Sequence, residues 1–203
     1  VLGGLDDVHR TGLRDPEEDY LLLLSVMGCF ILVLPFPFPE MWRLSRFDHD
    51  VPPEERRRFM DFYKRGIQRH LYVHGPDKHY LSKNPSFSSL IGSLTEEFPD
   101  GKVVGCVRNP YYTVPSLISS MQAGAQLFQV DPEGAHFRDG LYEAAKHYYA
   151  YLLEKLPQLP AERYSFMTLE ELGPNPRSAV HGIYERFGFD VAPEFDAWLR
   201  EQE

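Results

Sequence analysis

Between the turn Pro99-Asp100-Gly101 and the break Asn109-Pro110 the chain reads Lys102-Val103-Val104-Gly105-Cys106-Val107-Arg108. An unbroken apolar run of this length, set between helical patterns, predicts a strand covered on both faces, the habit of a parallel sheet. The strand ends on a cation, and a helix pattern from about Thr113 to Gln122 follows at once. Ser116 stands in or next to the first turn of that helix, eight positions past Arg108. This corner constrains the chain more than any other stretch, because it requires strand and helix to alternate.

The remaining pattern agrees. Pro52-Pro53-Glu54-Glu55 opens a helix with Phe59, Tyr63, Ile67 and Leu71 on one face, and Gly75-Pro76 stops it. His79-Tyr80-Leu81-Ser82 reads as a short strand entering the corner Lys83-Asn84-Pro85. Helices are expected from about Ser88 to Phe98 and from about Arg138 to Leu156, and Arg163–Met167 reads as another strand. Asn175-Pro176 starts a helix with Val180, Ile183, Tyr184 and Phe187 inward and Gly188 at its end, and Phe195, Trp198 and Leu199 mark a short terminal helix. Alternation of this kind predicts an α/β fold, helices layered on a parallel sheet, in which ligands bind beyond the carboxyl ends of the strands. Arg108 and Lys83 both fall at that edge. No repeat or linker divides the 203 residues, so a single domain is expected over 1–203.

A formal charge of -9 argues against a general nucleic-acid binder but leaves room for a local basic pocket. Cys29 and Cys106 lie in apolar surroundings without metal-type spacing, which predicts two buried free thiols and fits a reducing, cytoplasmic setting. The apolar run Leu21–Leu34 is cut short by Pro35 and Pro37, below the ~20 residues a spanning helix needs. With Asp15-Pro16-Glu17-Glu18 as a helix start ahead of it, the run predicts a buried helix leading into a proline-rich loop rather than a membrane anchor. His70 and His74, with Asp77 and His79 beyond, have helical spacing for zinc. The helix dipole alone favours histidines near a helix C-terminus, and no metal is expected.

A helix N-terminus offers unpaired N–H groups and partial positive charge, and so attracts phosphate or sulfate. Arg108 can reach the same oxygens with a forked pair of donors and Ser116 with its hydroxyl, while Asn109-Pro110 sharpens the corner. The competing reading is a structural arginine beside an ordinary helical serine. Tyr111 and Tyr112 either stack on a base or pack into the corner.

RNPYYTVPSL, from Arg108 to Leu117, resembles the arginine-to-serine element of sulfotransferases. HRTGLRDPEEDY, Phe62-Tyr63-Lys64, YLSKNPSFSSLIGSL, FPDGKVV and LEELGPNPRSAVHGIYERFGF resemble, in the same order, the bacterial and carbohydrate-type branch of that family. The resemblance implies the P-loop-nucleotide-kinase-like sulfotransferase fold. It also implies transfer of a sulfuryl group from 3′-phosphoadenosine 5′-phosphosulfate (PAPS) to a hydroxyl or amine, with adenosine 3′,5′-bisphosphate as product. On it, Arg108 and Ser116 bind the donor's 3′-phosphate. Lys83 lies near the transferring group, where a cation offsets charge building on the bridging oxygen. The acceptor is expected to be a small molecule, carbohydrate or lipid.

Two departures stand against the pattern. The family's glycine- and serine/threonine-rich phosphosulfate loop is not visible, since Gly3-Gly4 is too short and no G-x-x-x-x-G-K-[ST] occurs. Together with a start at Val1, this predicts that the first strand and its loop precede the chain. The histidine that many relatives carry after the lysine is replaced by Ser86-Phe87, so the proton acceptor is assigned to Glu18, with His9 second. Glu18 also suits a helix-capping role. A non-catalytic remnant that binds a nucleotide or a partner remains the alternative, and a protein attached to a membrane through Leu21–Leu34 a third.

Overall fold

The computed structural model describes residues 18–128 and 134–203. Two 3₁₀ turns, Asp19–Val26 and Phe30–Val33, lead into two short helices, α1 (Pro39–Trp42) and α2 (Phe47–Asp50). The long α3 (Pro53–His74) follows. A 3₁₀ turn Pro85–Leu90 enters α4 (Ile91–Glu97), and β1 (Val103–Val107) comes next. The chain continues through α5 (Pro110–Phe128), α6 (Ala135–Lys155), β2 (Tyr164–Thr168), α7 (Leu169–Leu172), α8 (Pro176–Phe187) and α9 (Pro193–Glu201). The fold is α/β but mostly helical. Among the described residues its sheet is a parallel pair, β1 on β2, in register from Val103 opposite Tyr164 to Val107 opposite Thr168.

The four-residue stripe of α3 explains the largest core. Phe59, Met60, Tyr63 and Ile67 are buried and meet Leu23, Leu44, Phe47, Phe87 and Leu90. Each such side chain contributes about 1.5–3 kcal/mol on leaving water. A second cluster joins Val33 to Ala125, Phe137 and Leu141, and a third packs Ile91, Tyr151 and Leu156 below the sheet. Asp48 of α2 ties these layers together. It accepts from the Gly92 N–H at 2.8 Å, the Ser93 N–H at 3.3 Å, the Ser93 hydroxyl and the Tyr151 hydroxyl at 2.9 Å. A carboxylate from another element thus caps the N-terminus of α4. Gly92 permits the approach: a Cβ there would lie 2.8 Å from Asp48 Oδ2 and 3.0 Å from the Tyr151 hydroxyl.

Several expectations need correction. Leu21–Leu34 is not one helix but two 3₁₀ turns broken at Met27, which takes the left-handed conformation with φ 58°. Gly28 follows because a Cβ there would meet the Phe59 ring at 2.9 Å. Among the described residues no helix is long and apolar enough to cross a membrane. His79–Ser82 forms no strand, so the described sheet has two strands where three were expected. Among the described residues β1 is paired on one side, and Cys106 is exposed while Cys29 is buried. Burial pushes the Cys29 thiol up to about 12, which keeps it protonated and unreactive. Helix α5 begins at Pro110, three residues earlier than expected, because proline suits the first helical position and Asn109 Oδ1 accepts the Tyr111 N–H at 3.0 Å. Asp15–Glu17, His9 and Gly3-Gly4 lie outside the described residues.

Candidate active site

The start of the first 3₁₀ turn meets the segment that follows α3. Glu18 is the N-cap residue of the Asp19–Val26 turn, but its side chain makes no capping bond. Instead Glu18 Oε1 accepts from Lys83 Nζ, across 65 positions of sequence. The lysine side chain is 77% exposed and the glutamate 21%. The pair is therefore an ammonium open to solvent held against a mostly covered carboxylate. The two residues assigned to catalysis from sequence lie together.

Beside them Asp19 collects four donors. Its Oδ2 accepts from the Tyr63 hydroxyl and, at 3.1 Å, from the Tyr80 hydroxyl. Its Oδ1 accepts from Ser82 Oγ at 2.9 Å and from Asn84 Nδ2 at 3.4 Å. Burial first, and the Asp19 charge second, push the Tyr63 and Tyr80 hydroxyls well above the ordinary phenol range. Both therefore stay protonated donors. Sequence reasoning passed over Asp19, although a visible signal was the side-by-side pair Glu18-Asp19 with polar residues at alternate positions 80, 82 and 84.

The second corner lies where β1 ends. The Arg108 carbonyl accepts from the Tyr149 hydroxyl of α6 at 2.6 Å, which fixes the exit of the strand. The guanidinium lies over the Tyr112 ring, 5.9 Å from its centroid. Ser116 stands in the second turn of α5, next to the first, because the helix starts earlier than expected. It is one helical turn beyond Tyr112 and so shares its face. Arg108 and Ser116 thus flank one tyrosine, and all three are exposed. Tyr111 and Tyr112 are exposed rather than packed into the corner, with their rings edge to face at 5.3 Å. Among the described residues no hydrogen bond or ion pair links this corner to Lys83 or Glu18.

The metal reading finds no ligand set. His70 and His74 have ring centroids 4.4 Å apart, but no group of three or more histidine, cysteine, aspartate or glutamate residues is placed to hold an ion among the described residues.

Comparison with known proteins gives these corners a context. The profile of the sulfotransferase family matches residues 37–193. The chain is similar to the omega-hydroxy-beta-dihydromenaquinone-9 sulfotransferase Stf3 of Mycobacterium bovis and to that of Mycobacterium tuberculosis. It is 28% identical to each over 195 residues, covering 92% of this chain and 48% of the relative. The chain therefore spans about half the length of the curated relatives it matches. No solved structure matches it significantly. The family profile covers most of the chain, and it carries both the β1–α5 corner and Lys83 within its bounds: the protein belongs to the sulfotransferase family.

Proposed function

We propose that this chain takes part in sulfuryl transfer from PAPS to an acceptor hydroxyl, with Lys83 and Glu18 at the reacting centre and Arg108 and Ser116 on the donor's 3′-phosphate. The observation that carries the reading is the Lys83–Glu18 pair. The family resemblance picked each residue separately, and they meet in space.

The chemistry follows from the two groups. An acceptor hydroxyl gives its proton to Glu18 as its oxygen attacks sulfur. The bond from sulfur to the bridging oxygen of the donor breaks, and charge develops on that oxygen. Lys83, largely in solvent, is free to swing from the carboxylate to the bridging oxygen and offset that charge. Its departure also leaves Glu18 free to accept a proton. At the other corner Arg108 offers a guanidinium, Ser116 a hydroxyl and Tyr112 a ring face for the adenosine 3′-phosphate end. In the family's P-loop-like fold the 5′-phosphosulfate is held by a glycine-rich loop, which the described residues do not supply.

The acceptor is proposed to be an apolar molecule ending in a hydroxyl. Leu21, Leu22 and Leu24 beside Glu18 are partly exposed, and Leu81, two residues before Lys83, is 92% exposed. Apolar side chains around an ion pair suit a lipid chain better than a sugar. The substrate for which the relatives are named, an omega-hydroxy-beta-dihydromenaquinone-9, is a molecule of that kind.

Calorimetric titration with adenosine 3′,5′-bisphosphate tests the donor half. Arg108→Ala is expected to weaken binding by about 2–4 kcal/mol, the range for removing one member of a charged hydrogen-bond set. Equal affinity in the variant would remove Arg108 from the donor site.

A further inference from the structure

We infer that Asp19 is the positioning residue of the reacting centre, the group that sets Lys83 against Glu18; this rests on the roles proposed above for those two residues. The segment from Gly75 to Asn84 carries Lys83 but pairs with no strand among the described residues. No sheet ladder therefore fixes the register of its backbone. Side chains do this work. Tyr80, Ser82 and Asn84 all donate to one carboxylate, so the even positions turn toward Asp19. The odd positions turn outward, with Leu81 92% exposed and the Lys83 side chain 77% exposed. The alternation that a sheet would impose is imposed here by a single aspartate.

Asp19 is itself anchored in the core. Tyr63 donates to it from the middle of α3, where that side chain is 2% exposed and packs edge to face on Phe87 at 5.2 Å. The chain of contacts runs from the rigid helix through Tyr63 to Asp19, and from there to both partners. It reaches Lys83 through Ser82 and Asn84, and Glu18 through the adjoining peptide.

Two adjacent carboxylates are thereby sorted. A carboxylate has about four acceptor sites. Asp19 fills its complement with four protein donors, leaving no site for the acceptor's proton. Among the described residues Glu18 receives a side-chain bond from Lys83 only, and that donor is free to leave. The saturated carboxylate holds, and the unsaturated one reacts.

The test uses Asp19→Asn, with Ser82→Ala and Tyr80→Phe as variants that leave the Tyr63 anchor intact. Turnover from labelled PAPS is expected to fall about 10- to 100-fold in Asp19→Asn with the KM for PAPS unchanged, the usual cost of misplacing a reacting group by about 1 Å. A second readout does not depend on turnover: acetylation of the Lys83 amine, followed by mass spectrometry. It should speed up at least about twofold as the exposed ion pair loosens, while Lys78 and Lys102 label as before. In a Lys83→Ala background Asp19→Asn should cost little more, since the two act as one unit. Unchanged Lys83 labelling with unchanged kcat in all three variants would overturn the inference, as would full additivity with Lys83→Ala. Wild-type turnover in Lys83→Ala and Glu18→Gln would instead overturn the catalytic reading on which it rests.

Discussion

Replacing Asp48 by alanine should unfasten three helices at once. Its carboxylate accepts from two N–H groups at the start of α4, from the Ser93 hydroxyl and from the Tyr151 hydroxyl of α6. Tyr151 is 4% exposed, and Gly92 is half-buried, so neither donor regains full hydration when its acceptor is lost. A buried donor left alone costs about 1–3 kcal/mol, and losing a helix cap about 1 kcal/mol. Partial access of water to Gly92 and Ser93 puts the sum near the low end, about 3 kcal/mol. For a domain of this length that corresponds to a fall in Tm of about 6–12 °C. Asp48→Asn keeps one acceptor oxygen and should lose about half as much. Thermal unfolding followed by circular dichroism reads both. A fall under about 2 °C for Asp48→Ala would refute the claim that this carboxylate joins α2, α4 and α6.

Gly140→Ala should destabilise by about 1–3 kcal/mol in urea titration, because the new Cβ would lie 2.5 Å from the Trp42 ring, which is already packed against Phe137. Stability should also fall in alkali. Burial raises Tyr63, Tyr80 and Tyr151 above their ordinary value of 10.0, so the unfolded chain releases these protons first. Their contribution is complete below pH ~10 and is lost as pH rises beyond it. Urea midpoints at pH 8 and pH 11 measure the effect, and Tyr63→Phe should flatten it. Acid acts at the C-terminal end. The Arg177 hydrogen bond first, then His181, holds the Asp196 carboxyl well below its usual range. The packing of α8 on α9 therefore loosens as pH falls below about 4, which hydrogen exchange on α9 would register.

Periodic burial was legible in the sequence. Phe59, Tyr63 and Ile67 recur at one face of α3; the apolar run 103–107 is β1, and the strand expected at Arg163–Met167 is β2, one residue further on. Leu21–Leu34 was illegible for the opposite reason: a run apolar on every side has no face to count. Its course is decided by the close approach of Gly28 to Phe59, a tertiary fact. His79–Ser82 has strand-like residues without a neighbouring strand among the described residues, and its side chains bond to Asp19 instead. At the candidate site, Lys83 and Glu18, chosen separately by resemblance, form an ion pair across 65 positions of sequence. The hub between them, Asp19, was signalled only in part, by its place beside Glu18 and by the polar residues at 80, 82 and 84. Its donors at 63, 80, 82 and 84 have no periodic relation to position 19.

The proposal that Lys83 and Glu18 form a sulfuryl-transfer centre is tested most directly by turnover. The full-length protein is given sulfur-labelled PAPS and a long-chain alcohol, and labelled sulfate ester is counted for wild type, Lys83→Ala and Glu18→Gln. Ester should form with the wild type and fall about 100-fold or more in each variant, the scale of losing a general base or a group that offsets developing charge. Ester formed at the wild-type rate by either variant, or none formed by the wild type, would contradict the proposal.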